Sequence, residues 1–208
     1  MNKTADRLIQ EARQLIIRGG YNGFSYADLA ERLGIRKASI HHHFPSKVDL
    51  VVAVIEQERA GLRAQIEALE NNMPGAVDQL IAYLDYWKGC MLDQPAAFCL
   101  AGVLAVELPG LPPQIGIAVR GFFTDLHDWL ERLLTRGVAQ GTLQLENPPD
   151  VAAAFFQSTV YGAMLVGRAY NDPGKFAIVV DAFFRRMRKD ARHQRAADAI
   201  AGTGPGDE

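Results

Sequence analysis

The stretch SYADLAERLGIRKASIHHHFPSKVDL, Ser25 to Leu50, contains two helix starts and one tight turn. Ser25 and Asp28 have the spacing of a capping box, in which the hydroxyl accepts from a first-turn amide and the carboxylate reaches back. A short helix follows with Leu29, Ala30 and Leu33 facing inward, and Gly34 ends it, glycine being suited to the left-handed conformation of a helix stop. After Gly34-Ile35 a second short helix spans about Lys37 to Phe44, and a second capping box, Ser46 with Asp49, opens a long helix to about Glu70. Two short helices on a tight turn form a helix-turn-helix, which lays its second helix in the DNA major groove. The first turn of that second helix carries Arg36, Lys37, Ala38 and Ser39, long cations beside small residues that permit close approach.

Outward from this stretch, helical periodicity continues. Ala5, Leu8, Ile9, Ala12, Leu15 and Ile16 recur at the spacing of one helix face, and Gly19-Gly20 stops that helix. Downstream, breaks at Asn71–Gly75, Asp93-Gln94-Pro95, Pro109–Pro113, Pro148-Pro149-Asp150 and Asp172-Pro173-Gly174 separate further helices. These run over about 76–92, 93–108, 114–139, 150–170 and 175–192. The fold class is therefore all-α, with about nine helices. The expected domains are a helix-turn-helix DNA-binding domain at 1–50 and a larger effector-binding and dimerisation domain at 51–195. A disordered tail is expected at 196–208.

Composition narrows the function classes. The 208 residues carry a net charge of −2, yet its distribution is uneven. Residues 1–47 hold eight basic and four acidic side chains, a net +4, while the rest holds 14 and 20, a net −6. Such asymmetry fits a chain that meets a polyanion at one end. No apolar run reaches the roughly 18–20 residues of a membrane helix, and the charged N-terminus lacks a signal-peptide core, so a cytoplasmic protein is expected. Cys90 and Cys99, the only cysteines, are expected as free thiols. Three consecutive histidines, His41, His42 and His43, invite a metal reading. Successive helical residues point about 100° apart, so no metal site is expected there. No phosphate loop, zinc-helix motif or serine elbow occurs, and neither an enzyme nor a cofactor is expected.

Residues 8–50 resemble the DNA-binding domain of the tetracycline-repressor (TetR) family. The resemblance is carried by Gly20, Phe24-Ser25, Asp28-Leu29-Ala30, Gly34, Ile40-His41-His42-His43-Phe44-Pro45-Ser46-Lys47 and Leu50. It implies that Lys37, Ala38, Ser39 and His42 read bases. It also implies that Ser25, Tyr26, His41, His43 and Lys47 touch phosphates, with Arg36 beside them, while Leu29, Ala30, Ile40 and Phe44 belong to the core. Two positions depart from the family pattern. His41 replaces the usual Tyr, placing a titratable group at the backbone contact, and Arg36 stands where a Ser or Thr often caps the recognition helix.

The resemblance further implies that the larger domain binds a small effector and dimerises. The pocket is expected between the fifth and eighth helices, with Trp87, Met91, Phe98, Cys99, Val103, Phe122, Leu126, His127, Gln157, Tyr161 and Met164 as candidates, and Phe123, Trp129 and Leu130 close by. Its lack of clustered Arg or Lys argues against a highly charged anionic effector. The small residues of about 150–170 (Ala152, Ala153, Ala154, Ser158, Gly162, Ala163 and Gly167) and the apolar residues of about 175–192 (Phe176, Ile178, Val179, Val180, Phe183 and Phe184) point to a two-fold homodimer through these helices. The basic run Arg185, Arg186, Arg188, Lys189, Arg192 and Arg195 reads as a solvated helix end.

The expected function is a homodimeric repressor, released from a palindromic double-stranded DNA operator by a small apolar effector. The alternative is a thiol-based sensor. Phe98-Cys99-Leu100 with Glu107 is similar to the cysteine segment of electrophile- and oxidant-sensing members, although Phe98 replaces their Gly. A helical carrier or an enzyme built on Cys99 and His127 is the remote alternative and leaves Arg36 to Lys47 unexplained.

Overall fold

A computed structural model describes residues 3–93 and 98–189. Among the described residues there are nine α-helices and no strand: α1 (Lys3–Gly19), α2 (Tyr26–Leu33), α3 (Lys37–His43), α4 (Lys47–Asn72), α5 (Ala76–Asp93), α6 (Leu100–Glu107), α7 (Pro113–Ala139), α8 (Pro149–Tyr170) and α9 (Pro173–Met187). The fold is all-α, as the periodicity predicts. No described helix is long and apolar enough to cross a membrane. The expected tail at 196–208, the residues Arg192 and Arg195, and the positions Gln94 and Pro95 lie outside the described residues.

Both capping boxes are formed. Ser25 Oγ accepts from Ala27 N at 3.1 Å, while Asp28 Oδ2 accepts from Ser25 N at 2.6 Å. Ser46 and Asp49 repeat the exchange at the start of α4, at 3.2 and 2.9 Å. Between α2 and α3, Gly34 has φ 64° and its amide bonds back to Glu31 O. That left-handed residue makes the turn tight, and an L side chain there would be strained. Helix α3 starts at Arg36 with no side-chain cap, consistent with the departure noted in the sequence.

Two apolar clusters organise the chain. The first joins the buried stripe of α1 (Leu8, Ala12, Leu15, Ile16) to Leu29, Ile40, Leu50 and Val54, and also to Leu100, Leu104, Ile115 and Val119 of α6 and α7. Helix α1 therefore rests on α6 as well as on α4. The second lies among α5, α7, α8 and α9 around Trp129, Phe156 and Phe176, each 0% exposed. Truncation of such a side chain to alanine costs about 3–5 kcal/mol. Along the outer side, Arg59 and Arg63 of α4 both pair with Asp125 of α7, at 2.6 and 2.7 Å, and lock those two long helices.

Two element boundaries differ from the sequence reading. Helix α6 begins at Leu100 rather than near Asp93, because Cys99 is already extended (φ −63°, ψ 123°) and serves as its N-cap. Helix α9 stops at Met187 rather than about Arg192. Arg188 is extended and forms a bridge with Leu143, through Gln144 N to Met187 O at 2.8 Å and Lys189 N to Thr142 O at 3.1 Å. Arg188 and Lys189 thus leave the helix, while Arg185 and Arg186 occupy its solvated last turn.

Candidate nucleic-acid interface and internal cavity

Helix α3 presents an open outer face. Arg36, Lys37, Ala38, His41 and His42 are exposed, Ser39 and His43 half-buried, and Ile40 fully buried beneath them. The single apolar anchor at Ile40 follows from the seven-residue length: two turns present one inward stripe, and the other positions remain free to face a ligand. Base-reading candidates Lys37, Ala38 and His42 therefore share the exposed side, with Ser39 at its margin. Ser25 is exposed at the first turn of α2, its hydroxyl donating to Asp28.

Two phosphate candidates have internal duties. Tyr26 is buried, and its hydroxyl lies 2.9 Å from Phe44 O and 2.6 Å from Ser46 O, so it clamps the α3–α4 turn. Burial, with Asp49 and Tyr21 nearby, pushes its pKa up to about 12, keeping the phenol a donor. Lys47 donates to Phe24 O and lies 4.5 and 4.3 Å from the ring centroids of Tyr21 and Phe24. Burial lowers its pKa, opposed by Asp28 and Glu107. One ammonium with three N–H groups holds the chain before α2 to the start of α4 and keeps donors to spare. His41 Nδ1 is 3.1 Å from Pro45 O, a contact in which the carbonyl can only accept, so Nδ1 carries the proton and Nε2 is the ring's other nitrogen. Its ring meets the edge of Tyr26 at 4.9 Å.

The end of α1 is anchored from two sides. Gly20 has φ 72°, and a Cβ there would fall 1.7 Å from Glu107 Oε1. The space is taken because Glu107 Oε2 accepts from Tyr21 N at 2.8 Å. Arg168 of α8 donates to Ile17 O at 3.3 Å. Near the middle of α1, Arg13 Nε and Nη2 lie 2.6 and 3.4 Å from the two oxygens of Glu58 on α4. Burial works against the Arg13 charge, and Glu58 outweighs it to raise the pKa.

That ion pair forms part of the wall of a cavity of about 450 Å3 between α1, α4, α5, α7 and α8. Trp87, Phe98, Cys99, Phe122, Leu126 and Tyr161, six of the residues expected from the sequence, line it. Tyr83, Tyr86 and Cys90 of α5, Gln57, Glu58, Gly61, Leu62 and Gln65 of α4, and Arg13 and Ile17 of α1 complete the wall. Two signals for these were present in the sequence. Ile17 is an apolar residue off the buried stripe of α1, and Gly61 is a mid-helix glycine, a choice that costs about 1 kcal/mol relative to Ala. Outside the backbone of its own helix, no atom of the described residues lies within 4 Å of where a Gly61 Cβ would be. Five expected residues lie away from the wall. Met91 and Met164 are buried in core packing, Val103 packs against the same core, His127 is half-buried on α7, and the Gln157 amide is spent on Phe123 O at 3.3 Å. Whether an apolar or polar residue of α5–α8 faces the cavity or the core is set by packing rather than by its type. Among the neighbouring candidates, Trp129 and Leu130 are core as well, and Phe123 stacks at 5.0 Å on Tyr161.

Cys99 is 5% exposed and accepts from the Tyr161 hydroxyl at 3.2 Å. Burial raises its pKa, against the lowering effect of Tyr161 and nearby amides. Tyr161 is itself raised well above the ordinary phenol value by burial and by the thiol. The Trp87 indole N–H is buried beside the Tyr83 phenol and opposes the rise that burial gives the Tyr83 pKa. No group of three or more His, Cys, Asp or Glu able to hold a metal occurs among the described residues.

Along the outer side of α8, Val151, Ala154, Phe155, Ser158, Gly162, Leu165 and Val166 are exposed at helical spacing, with Phe155 at 56% and Leu165 at 57%. On α9, Ile178 is 71% exposed, Val179 and Ala182 beside it are exposed too, and Phe176, Val180 and Phe184 face the chain's own core. Of the small residues of α8, Ala152, Ala153, Ala163 and Gly167 are buried within the chain, and Ala154, Ser158 and Gly162 look outward.

Comparison with known proteins agrees with this architecture. Residues 8–54 match the bacterial regulatory proteins of the tetR family, and residues 76–183 match the tetracyclin repressor-like C-terminal domain. A crystal structure of a TetR-family transcriptional regulator from Agrobacterium tumefaciens is 46% identical, with a TM-score of 0.87, over 90% of this chain and 98% of that one. A TetR transcriptional regulator from Legionella pneumophila is 30% identical, with a TM-score of 0.81, over 91% and 99%. The HTH-type transcriptional regulator CymR of Pseudomonas putida is 27% identical over 140 residues, 66% of this chain and 69% of that protein. With an exposed two-turn helix on a helix-turn-helix frame, and with both parts of the family matched along its length, the chain belongs to the TetR family of DNA-binding transcriptional regulators, which are not enzymes.

Proposed function

We propose that the protein is a homodimeric repressor acting in the bacterial cytoplasm, with residues 1–50 as its DNA-binding unit and 51–195 as its effector and dimer unit. The outward stripes of α8 and α9 pair with a second copy. The two α3 helices then enter successive major grooves about 34–36 Å apart on a palindromic operator. Lys37, Ala38, Ser39 and His42 meet bases. Ser25, Arg36, His41, His43 and Lys47 lie along the backbone, and Tyr26 supports that contact from behind by holding the α3–α4 turn.

The observation that carries the reading is that one cavity touches both halves of the device. Arg13 and Ile17 belong to α1, against which the helix-turn-helix packs, while Tyr83, Trp87, Phe122 and Tyr161 belong to the larger bundle. A small, largely apolar effector filling about 450 Å3 acts on α1 directly. It releases DNA only to the extent that it binds the DNA-incompetent arrangement more tightly. The buried, protonated Cys99 supports non-covalent capture over thiol chemistry, since the thiolate is the reactive form.

The test is to select duplexes from a random pool with the full-length protein and to measure affinity for them by fluorescence anisotropy across salt concentrations. A palindromic product, a two-to-one stoichiometry and a steep fall of affinity with salt are expected. A single half-site bound by a monomer would refute the dimeric reading.

A further inference from the structure

The cavity is closed at its floor and open along one edge. Tyr83, Phe98, Cys99, Phe122 and Leu126 are buried, whereas Gly61 and Gln65 of α4 and Tyr86 of α5 are exposed. The exposed wall residues thus belong to α4 and α5 alone, consecutive helices joined by the turn at 73–75. Beside that turn the pair is fastened. Gln79 donates to Met73 O, and Gln140 of α7 joins Ala76 N and Pro74 O, each at 3.0 Å. Ile66 of α4 and Leu80 of α5 then share the buried core. Farther from the turn, Glu58, Gly61 and Leu62 of α4 and Tyr86, Trp87 and Cys90 of α5 line the cavity instead. The two helices are held together at one end and part around the cavity at the other.

Gly61 stands on the α4 side of that opening, and the ordinary reasons for a glycine are missing there. Its φ is not positive, and no atom outside its own helix backbone lies within 4 Å of the Cβ position, so no close approach demands it. Glycine also weakens a helix interior relative to alanine. A side chain at 61 would meet no neighbour and would stand in the gap. On the α5 side, Tyr86 forms the other rim, its ring edge-on to Trp87 at 5.3 Å. At the α1 side, Arg13 bars the opening by holding both oxygens of Glu58.

We propose that the effector enters between α4 and α5, and that the missing side chain at Gly61 keeps this passage open and sets the width of what passes. This rests on the proposed effector reading and adds the route and its size-determining residue. The route crosses no residue of α8 or α9, so the cavity fills without the proposed dimer coming apart.

The experiment uses the full-length wild type, Gly61→Leu, Gly61→Ala and Ala60→Leu. Both Gly61 variants favour the helix, so their melts should be retained or raised. Trp87 is on the cavity wall and Trp129, the other tryptophan, is 0% exposed, so acrylamide quenching of fluorescence reports on Trp87. Gly61→Leu should lower the quenching constant severalfold. Gly61→Ala should leave it near the wild-type value, as should Ala60→Leu, which adds the same bulk at an exposed α4 position off the wall. An unchanged constant in Gly61→Leu would overturn the passage, and equal protection by Gly61→Ala would overturn it by tracing the effect to a stiffer helix. Stopped-flow binding of the apolar dye phenylnaphthylamine tests the same route on a larger molecule. Gly61→Leu should slow association and dissociation together, whereas a residue that only touches the bound dye alters dissociation. Dye that binds Gly61→Leu with the wild-type association rate would overturn the route. Dye that does not bind any of the proteins, with quenching as expected, would count against the effector reading and leave the passage supported.

Discussion

Arg168 near the end of α8 donates to the main-chain carbonyl of Ile17 in the last turn of α1, a bond of 3.3 Å that spans 151 positions of sequence. The same guanidinium lies 5.4 Å from the Phe98 ring centroid, and Phe98 is part of the cavity wall. Three elements, the cavity, the larger bundle and the base of the helix-turn-helix, therefore meet at one side chain. Arg168→Met retains the apolar stem and removes the donor. It should cost about 1 kcal/mol of stability by urea unfolding. Affinity for the selected duplex should fall severalfold with the salt slope unchanged, because no phosphate contact is removed. A change in slope would place Arg168 at the DNA.

Lys37 and Lys47 separate on the same measurements. Lys37 is exposed on α3, outside both apolar clusters, so Lys37→Ala should leave thermal stability alone and relax base preference, with a loss of about 1–3 kcal/mol on the preferred duplex. Lys47 is both staple and phosphate candidate, tied to Phe24 O and stacked over two rings. Lys47→Ala should therefore lower the melting temperature, weaken all duplexes alike and reduce the salt slope by about one. A Lys37→Ala variant that weakens operator and random DNA equally would remove it from base reading.

Much of this architecture is legible in the sequence alone. Ser25 with Asp28 and Ser46 with Asp49 declare their helices locally, since each cap is made by residues three apart. Gly34 declares the turn for the same reason. The cavity was half legible. Trp87 and Tyr161 come from the right helices and Phe98 from just before α6, but which residues of a mixed apolar helix face space rather than core depends on packing that no local rule encodes. Arg13 and Glu58 meet across 45 positions, and a charged residue on α1 gives no sign of lining a pocket. The bridge between Leu143 and Arg188 was hidden likewise, being one isolated backbone pair between a loop and a helix end.

His41 offers a further test of the backbone contact. Its Nδ1 donates to Pro45 O, which leaves Nε2 on the exposed side. His41→Ala should weaken operator and random duplexes alike, as expected of a phosphate neighbour. A loss confined to the preferred duplex would exclude His41 from the backbone contact.

Cys99 should be slow to alkylate. Its pKa is raised by burial, so at any neutral pH less of it is thiolate than in an unfolded chain, and the deficit closes only as pH rises beyond the ordinary thiol range. Peptide mapping after iodoacetamide at pH 7.5 should find half-buried Cys90 modified first and Cys99 more than about tenfold slower than in urea. An electrophile should leave the wild-type and Cys99→Ser DNA complexes equally intact. Dissociation of the wild-type complex alone would restore the thiol-sensing alternative.

The outward stripe of α8 gives the last prediction. Phe155 and Leu165 stand ten residues apart, close to three helical turns, with Ser158 and Gly162 between them and Ala154 just before, all on the same face. Large residues at both ends and small ones between allow a second helix to cross closely at the middle while its flanks are packed. Ile178 of α9 widens the patch. An exposed apolar surface of this kind is a mark of an interaction site. A charge at its end is desolvated on pairing without a partner and, by two-fold symmetry, is met by or lies near its own copy. Phe155→Glu should therefore convert the protein to monomer in sedimentation, with its helical melt retained because Phe155 is outside both cores. The monomer should hold a half-site duplex weakly and lose the advantage of the palindrome. Phe156→Ala, one position away but fully buried, should instead lower stability by about 3–5 kcal/mol. If Phe155→Glu leaves the sedimentation coefficient unchanged, the dimer lies elsewhere.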